Sequence, residues 1–90
     1  MTLKQITKAL KKSDRWGCND QPDLETMQNM IASLDPLIVR MVRDDTLTMV
    51  LSLPTTELAL SAATCLASWS DSLDYELVVG DQWSFTLWWD

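Results

Sequence analysis

Residues 37–53 read LIVRMVRDDTLTMVLSL, and their reading decides the fold. Up to Pro36 the apolar residues recur at helical spacing; from Leu37 onward they alternate. Alternation on both sides of Asp44 and Asp45 describes two strands joined in a hairpin. Register follows from which side chains can share a buried face. A two-residue loop would set Arg40 opposite Met49, on the side carrying Leu47, Leu51 and Leu53. A three-residue loop, 44–46, groups Leu37, Val39 and Met41 with Leu47, Met49, Leu51 and Leu53 and keeps Arg40 off the core. The three-residue loop is therefore expected.

The same logic applies near the C-terminus. With residues 80–82 as a three-residue loop, Tyr75, Leu77 and Val79 share a face with Trp83, Phe85, Leu87 and Trp89. That set forms an aromatic half-core. Trp83, Phe85, Leu87 and Trp89 are expected to be buried, and Trp88 to be more exposed than Trp83 or Trp89.

Between the hairpins, Pro54 and Thr55 start a helix that runs to about Trp69, capped by Thr55 or Thr56. It is apolar almost all round: Leu58, Ala59, Leu60, Ala62, Ala63, Cys65, Leu66, Ala67 and Trp69 leave only a thin polar strip. Such a helix is expected to be central and buried on two sides, lying on the sheet with the N-terminal helices outside it. Cover from a second subunit is the alternative. Cys65 reads as a small buried thiol.

The N-terminal segment supplies two helices. Residues 2–12 put Leu3, Ile6 and Leu10 on one stripe, with Thr2 as cap and Lys4, Lys8, Lys11 and Lys12 elsewhere. Residues 13–23 break the periodicity with Gly17, Asn19 and Pro22. Asp23 caps the second helix, whose stripe is Leu24, Met27, Met30, Ile31 and Leu34, and Pro36 ends it. The expectation is one α+β domain over residues 1–90: two layers in the order ααββαββ, with two hairpins forming a mainly antiparallel four-stranded sheet. The second sheet face would carry Ile38, Arg40, Val42, Thr48, Val50, Ser52, Glu76, Val78, Ser84, Thr86 and Trp88. Nothing in the sequence is left over to cover it.

Composition narrows the chemistry. Histidine is absent, and only two glycines occur in 90 residues. The commonest general base and the usual phosphate-cradling loops are thus missing, and no catalytic motif is present. No enzyme activity, cofactor or metal is expected. The apolar runs fall short of a membrane span, the start has no secretory pattern, and the two cysteines lack CxxC spacing. A cytoplasmic protein without membrane attachment is expected.

Charge is unevenly placed within the net −6. Residues 1–43 hold seven basic and five acidic residues, a balance of +2, whereas residues 44–90 hold eight acidic residues and no basic one. An acidic half of this kind solubilises, and it also steers a basic partner. Direct nucleic-acid binding is not expected. Lys4, Lys8, Lys11 and Lys12 make the first helix basic, with Arg15 just beyond it, but the loop that follows offers acids where a recognition helix should begin. The expected function is non-enzymatic binding, and inhibition, of a basic nucleic-acid-handling protein, as by an immunity protein or a phage or plasmid counter-defence factor. The expected contact residues are Trp88, Asp71, Asp74, Glu76, Asp81 and Asp90. A monomer is expected, with a homodimeric accessory subunit as the alternative.

Overall fold

The computed structural model describes residues 1–18 and 20–89. Its elements follow the expected order: α1 (Leu3–Leu10), α2 (Leu24–Ser33), β1 (Ile38–Arg43), β2 (Thr46–Ser52), α3 (Thr56–Ala67), β3 (Ser72–Val79) and β4 (Gln82–Trp88). The caps are those the sequence marks. Thr2 and Gln5 form a reciprocal capping box on α1, Asp23 accepts from the Thr26 N–H on α2, and Thr55 accepts from the Leu58 N–H on α3. Asp35, at φ 52°, ends α2 in the left-handed region just before Pro36.

Both hairpins solve the register problem by the same device. Each has a two-residue turn, Asp44–Asp45 or Gly80–Asp81, in place of the expected three-residue loop. The extra residue sits instead in the strand before the turn, as a bulge at Val42 or Val78. One surplus residue in the strand shifts parity as one in the loop would, so the expected faces survive. Val39 pairs with Met49 and Met41 with Leu47, while Tyr75 pairs with Phe85 and Leu77 with Trp83. The turns themselves differ. Gly80 takes the positive φ, 57°, that a primed turn needs at its first central position, whereas neither Asp44 nor Asp45 has a positive φ.

The sheet order is β1-β2-β4-β3, with every neighbouring pair antiparallel. β2 and β3 both run antiparallel to β4 and hence parallel to each other. α3 is the crossover between them, and β4 fills the gap it leaves. One face of the sheet meets the helices, where Ile6, Leu10, Met27, Ile31 and Leu66 join Val39, Met41, Leu47, Met49, Leu51, Phe85, Leu87 and Trp89 in one core.

The helical layer departs from expectation. α3 lies on β3 and β4, whereas α1 lies on β1 and α2 packs on α1. The N-terminal helices therefore do not cover α3. It buries Ala59, Ala62, Ala63 and Leu66 and leaves Leu58, Leu60 and Cys65 exposed, so Cys65 is not a buried thiol. The reason is width. Four strands at about 4.8 Å span roughly 19 Å, which accommodates helices side by side and leaves no need for a third layer. The alanines give α3 close contact with the sheet on one side only.

The aromatic half-core is also narrower than the alternation implies. Phe85, Leu87 and Trp89 are fully enclosed, but Tyr75 and Leu77 are 42% and 52% exposed because β3 is an edge strand. Val79 leaves that face altogether, since the bulge pairs it with Gln82. Leu37, expected on the core face, is about half exposed. Trp83 is half-buried like Trp88, its indole N–H donating to the Leu53 carbonyl at 3.2 Å. Trp89 carries the closure that sequence reasoning did not foresee. Its backbone N–H donates to the Asp45 carbonyl, its indole N–H to the Trp69 carbonyl at 2.7 Å, and its ring meets Trp16 edge-on at 5.5 Å. Ser13 and Gln21 of the long N-terminal loop both donate to the Asp44 carbonyl, tying that loop to the first hairpin turn.

Phe85→Ala removes a fully buried ring that stacks on Tyr75 at 5.8 Å. It should cost about 3–5 kcal/mol, a large part of the stability of a domain this small, read as a lowered midpoint in urea unfolding. A second expectation concerns acid. Hydrogen bonds from the Thr26 side chain and then its backbone hold the Asp23 carboxyl below its ordinary range. The folded chain thus keeps Asp23 ionised to lower pH than the unfolded chain does. The cap's contribution is complete above about pH 4 and fades as pH falls through the folded value. Amide exchange in the first turn of α2 should accelerate over that interval, and Asp23→Asn should remove this pH dependence.

Candidate functional site

The outer face of the sheet is built from cross-strand rungs. The pairings give one rung of Arg40, Thr48, Thr86 and Asp74, and a second of Ile38, Val50, Ser84 and Glu76. A third carries Arg43, Thr46, Trp88 and Ser72. Opposed residues lie on the same face, so every member of the first two rungs points away from the helices. The hydroxyls of Thr48 and Thr86 approach to 3.4 Å across the central pair of strands.

At the β3 side of this face lies a shallow depression of about 270 Å³ lined by Asp74, Tyr75, Glu76, Ser84, Thr86 and Trp88. Its chemistry is that of a seat for a cation. Two carboxylates stand on the edge strand two residues apart, roughly 7 Å, with an indole and two hydroxyls beside them. Three of the residues expected to make contact, Trp88, Asp74 and Glu76, are therefore brought together. Asp81 is not among them. It occupies the β3–β4 turn, seven residues from Trp88 and so roughly 20 Å along the strand. Asp71 precedes β3, and its backbone N–H donates to the Trp88 carbonyl at 2.9 Å, which fixes the far end of the hairpin beside the depression. Asp90 lies outside the described residues.

Tyr75 borders the depression although it faces inward, its ring stacked on Phe85. The strand order explains this, because it makes β3 an edge, where even an inward-facing tyrosine meets solvent. Acids alternating along β3 are the local signal of such an edge. Arg40, expected on this face, shares the rung of Asp74 at the opposite margin.

The basic N-terminal helix presents its own surface in the helical layer, away from this face. A broad groove of about 560 Å³ runs along Leu3, Lys4, Thr7, Lys8 and Lys11. The helix that follows, α2, contains no cation. Among the described residues, no three metal-ligating side chains gather, and no helix is long and apolar enough to cross a membrane. No family model, curated protein or solved structure gives a significant match to the chain.

The two neighbouring indoles should separate cleanly in stability measurements. Trp89→Ala opens the core and breaks the hydrogen bond to Trp69, an expected loss of about 3–5 kcal/mol. Trp88→Ala should cost clearly less in the same urea titration, because the outer face has no layer packed on it.

Proposed function

We propose that this chain is a non-enzymatic binding protein whose working surface is the outer face of its sheet, and that it takes a protein partner with a basic surface. One observation carries the reading: Asp74, Glu76 and Trp88 surround a single depression on a face that none of the helices covers. Carboxylates at an exposed margin raise the rate of encounter with a cationic surface. A partly enclosed indole next to them supplies the flat, rigid contact that slows dissociation, and a guanidinium or ammonium group above it gains a cation–π contact as well. The setting that fits is inhibition of a nucleic-acid-handling protein in the cytoplasm, whose phosphate-binding groove is basic and open to an acidic competitor. An immunity protein or a phage or plasmid counter-defence factor works in this way. Duplex DNA carries two phosphates per base pair, so thirteen carboxylates amount to about six base pairs and seven cations offset them. A local patch rather than imitation of a whole duplex is the consistent form.

The test is a paired capture in host extract, using the wild-type chain and the Asp74→Asn, Glu76→Gln, Trp88→Ala triple variant as baits. A partner retained only by the wild type is then studied kinetically. Its association should slow markedly as salt shortens the screening length from about 10 Å at 0.1 M to about 3 Å at 1 M. Neutralising Asp74 and Glu76 should mainly lower the on-rate. Trp88→Ala should mainly raise the off-rate, by about thirtyfold or more. A partner whose binding ignores both salt and Trp88→Ala would remove the reading.

A further inference from the structure

The outer face carries opposite charges at its two margins. Arg40 stands on the edge strand β1 and Asp74 on the edge strand β3, on the same rung. Three strand spacings, about 14 Å, separate them, too far for an ion pair within one copy. Glu76 adds a second carboxylate at the acidic margin, and Arg43 a second cation on β1.

We propose that this face docks onto the same face of a second copy, with Arg40 of each copy seated at Asp74 and Glu76 of the other. The charges select the symmetry. Two sheets meeting face to face about a two-fold axis have that axis in the plane between them. An axis across the strands would lay β1 on β1 and β3 on β3, setting Arg40 against Arg40 and carboxylate against carboxylate. An axis along the strands, over the seam between β2 and β4, lays β1 of one copy on β3 of the other. The rung Arg40, Thr48, Thr86, Asp74 then faces its own reverse, and both ends find opposite charge. Tilting the axis by about 15° gives the aligned sheet packing of about 30° that twisted sheets adopt. Arg40 then remains within reach of both carboxylates. Thr48 and Thr86 lie over each other near the axis, and Trp88 lies over the Thr46 end of β2. Half-exposed Ile38 and Val42 at the margin, with Val50 further in, supply the apolar area.

Size favours a reversible assembly. The face measures roughly 19 Å by 20 Å, about 400 Å² per copy, which puts the interface below the standard size of specific contacts and among weak, transient ones. The inference rests on the proposed reading only in taking this face as a docking surface for a cation. It adds that the free chain fills the seat with its own Arg40, so a second copy and a basic partner exclude one another.

Sedimentation equilibrium of the full chain, from about 1 µM to 1 mM at low salt, tests it directly. The wild type should dimerise, and Arg40→Asp and Asp74→Arg should each weaken the dimer about tenfold or more, because each change touches two symmetric contacts. The double variant Arg40→Asp, Asp74→Arg should recover dimerisation to within about threefold of wild type, which also demonstrates that the charge changes leave the chain folded. A chain that stays monomeric throughout the range overturns the proposal. So does a dimer indifferent to either reversal, which would move the interface to the exposed Leu58 and Leu60 of α3. Singles that weaken the dimer without rescue by the double would overturn the pairing of Arg40 with Asp74. None of these readings involves a foreign partner, so failure of the dimer leaves the binding function standing, and the reverse also holds.

Discussion

The pairing of β2 with β4 positions nearly everything else. Each hairpin closes locally, but only this contact, Thr46 opposite Trp88 through Ser52 opposite Gln82, makes them one sheet. It is distant in sequence, so its loop-closure cost must be met before either hairpin has a complete core to lean on. The compensating interactions lie at both ends. At one end the Leu53 N–H donates to the Asp81 carbonyl; at the other the Trp89 N–H donates to the Asp45 carbonyl. Between them Leu47, Met49 and Leu51 face Leu87, Phe85 and Trp83. β1 and β3 are edges because β2 and β4 have already taken the centre.

That constraint explains what the sequence could and could not convey. Parity was legible: Arg40 cannot share a face with Met49, and this alone puts Val39 and Met41 on the core side whichever way the surplus residue is accommodated. The bulges were not legible, since a residue extra in the strand and one extra in the loop leave the same alternation. Neighbour relations were beyond parity as well. Alternation tells which residues share a face, but not that β4 lies inside β3, so Tyr75 and Leu77 read as core although they line an edge. On α3 the departure has another origin. Leu58 and Leu60 suggest a second buried side, yet single exposed leucines are ordinary on a folded surface. The residues that locate α3 are Ala59, Ala62 and Ala63, whose small side chains mark the face closest to the sheet.

For the outer face, the sequence pointed to Trp88, Asp74 and Glu76 through charge and strand alternation alone. It does not separate Asp81 from them, because acids in one half of the chain need not share one surface. Charge summed along a segment ignores the roughly 3.3 Å advance per strand residue, which takes Asp81 to the opposite end of the hairpin. Arg40 was legible as a member of this face, but not its place on the rung of Asp74: it belongs by sequence to the basic half and by geometry to that rung.

The placement of these charges also bears on how the sheet avoids unwanted association. Its edges are open strands with unpaired backbone groups, the usual template for edge-to-edge growth. Like charges along each edge oppose pairing of β1 with β1 or β3 with β3. Pairing β1 of one copy with β3 of the next would satisfy the charges, and because that contact is head-to-tail it would propagate without closing. The two bulges bear on that remaining route. Val42 interrupts β1 and Val78 interrupts β3, each near the turn end of an edge strand, and a bulge increases local twist and breaks the hydrogen-bonding ladder. The devices that set the hairpin registers thus also blunt both edges. What they leave accessible is the face, where the same charges complement one another only in an arrangement that closes on itself.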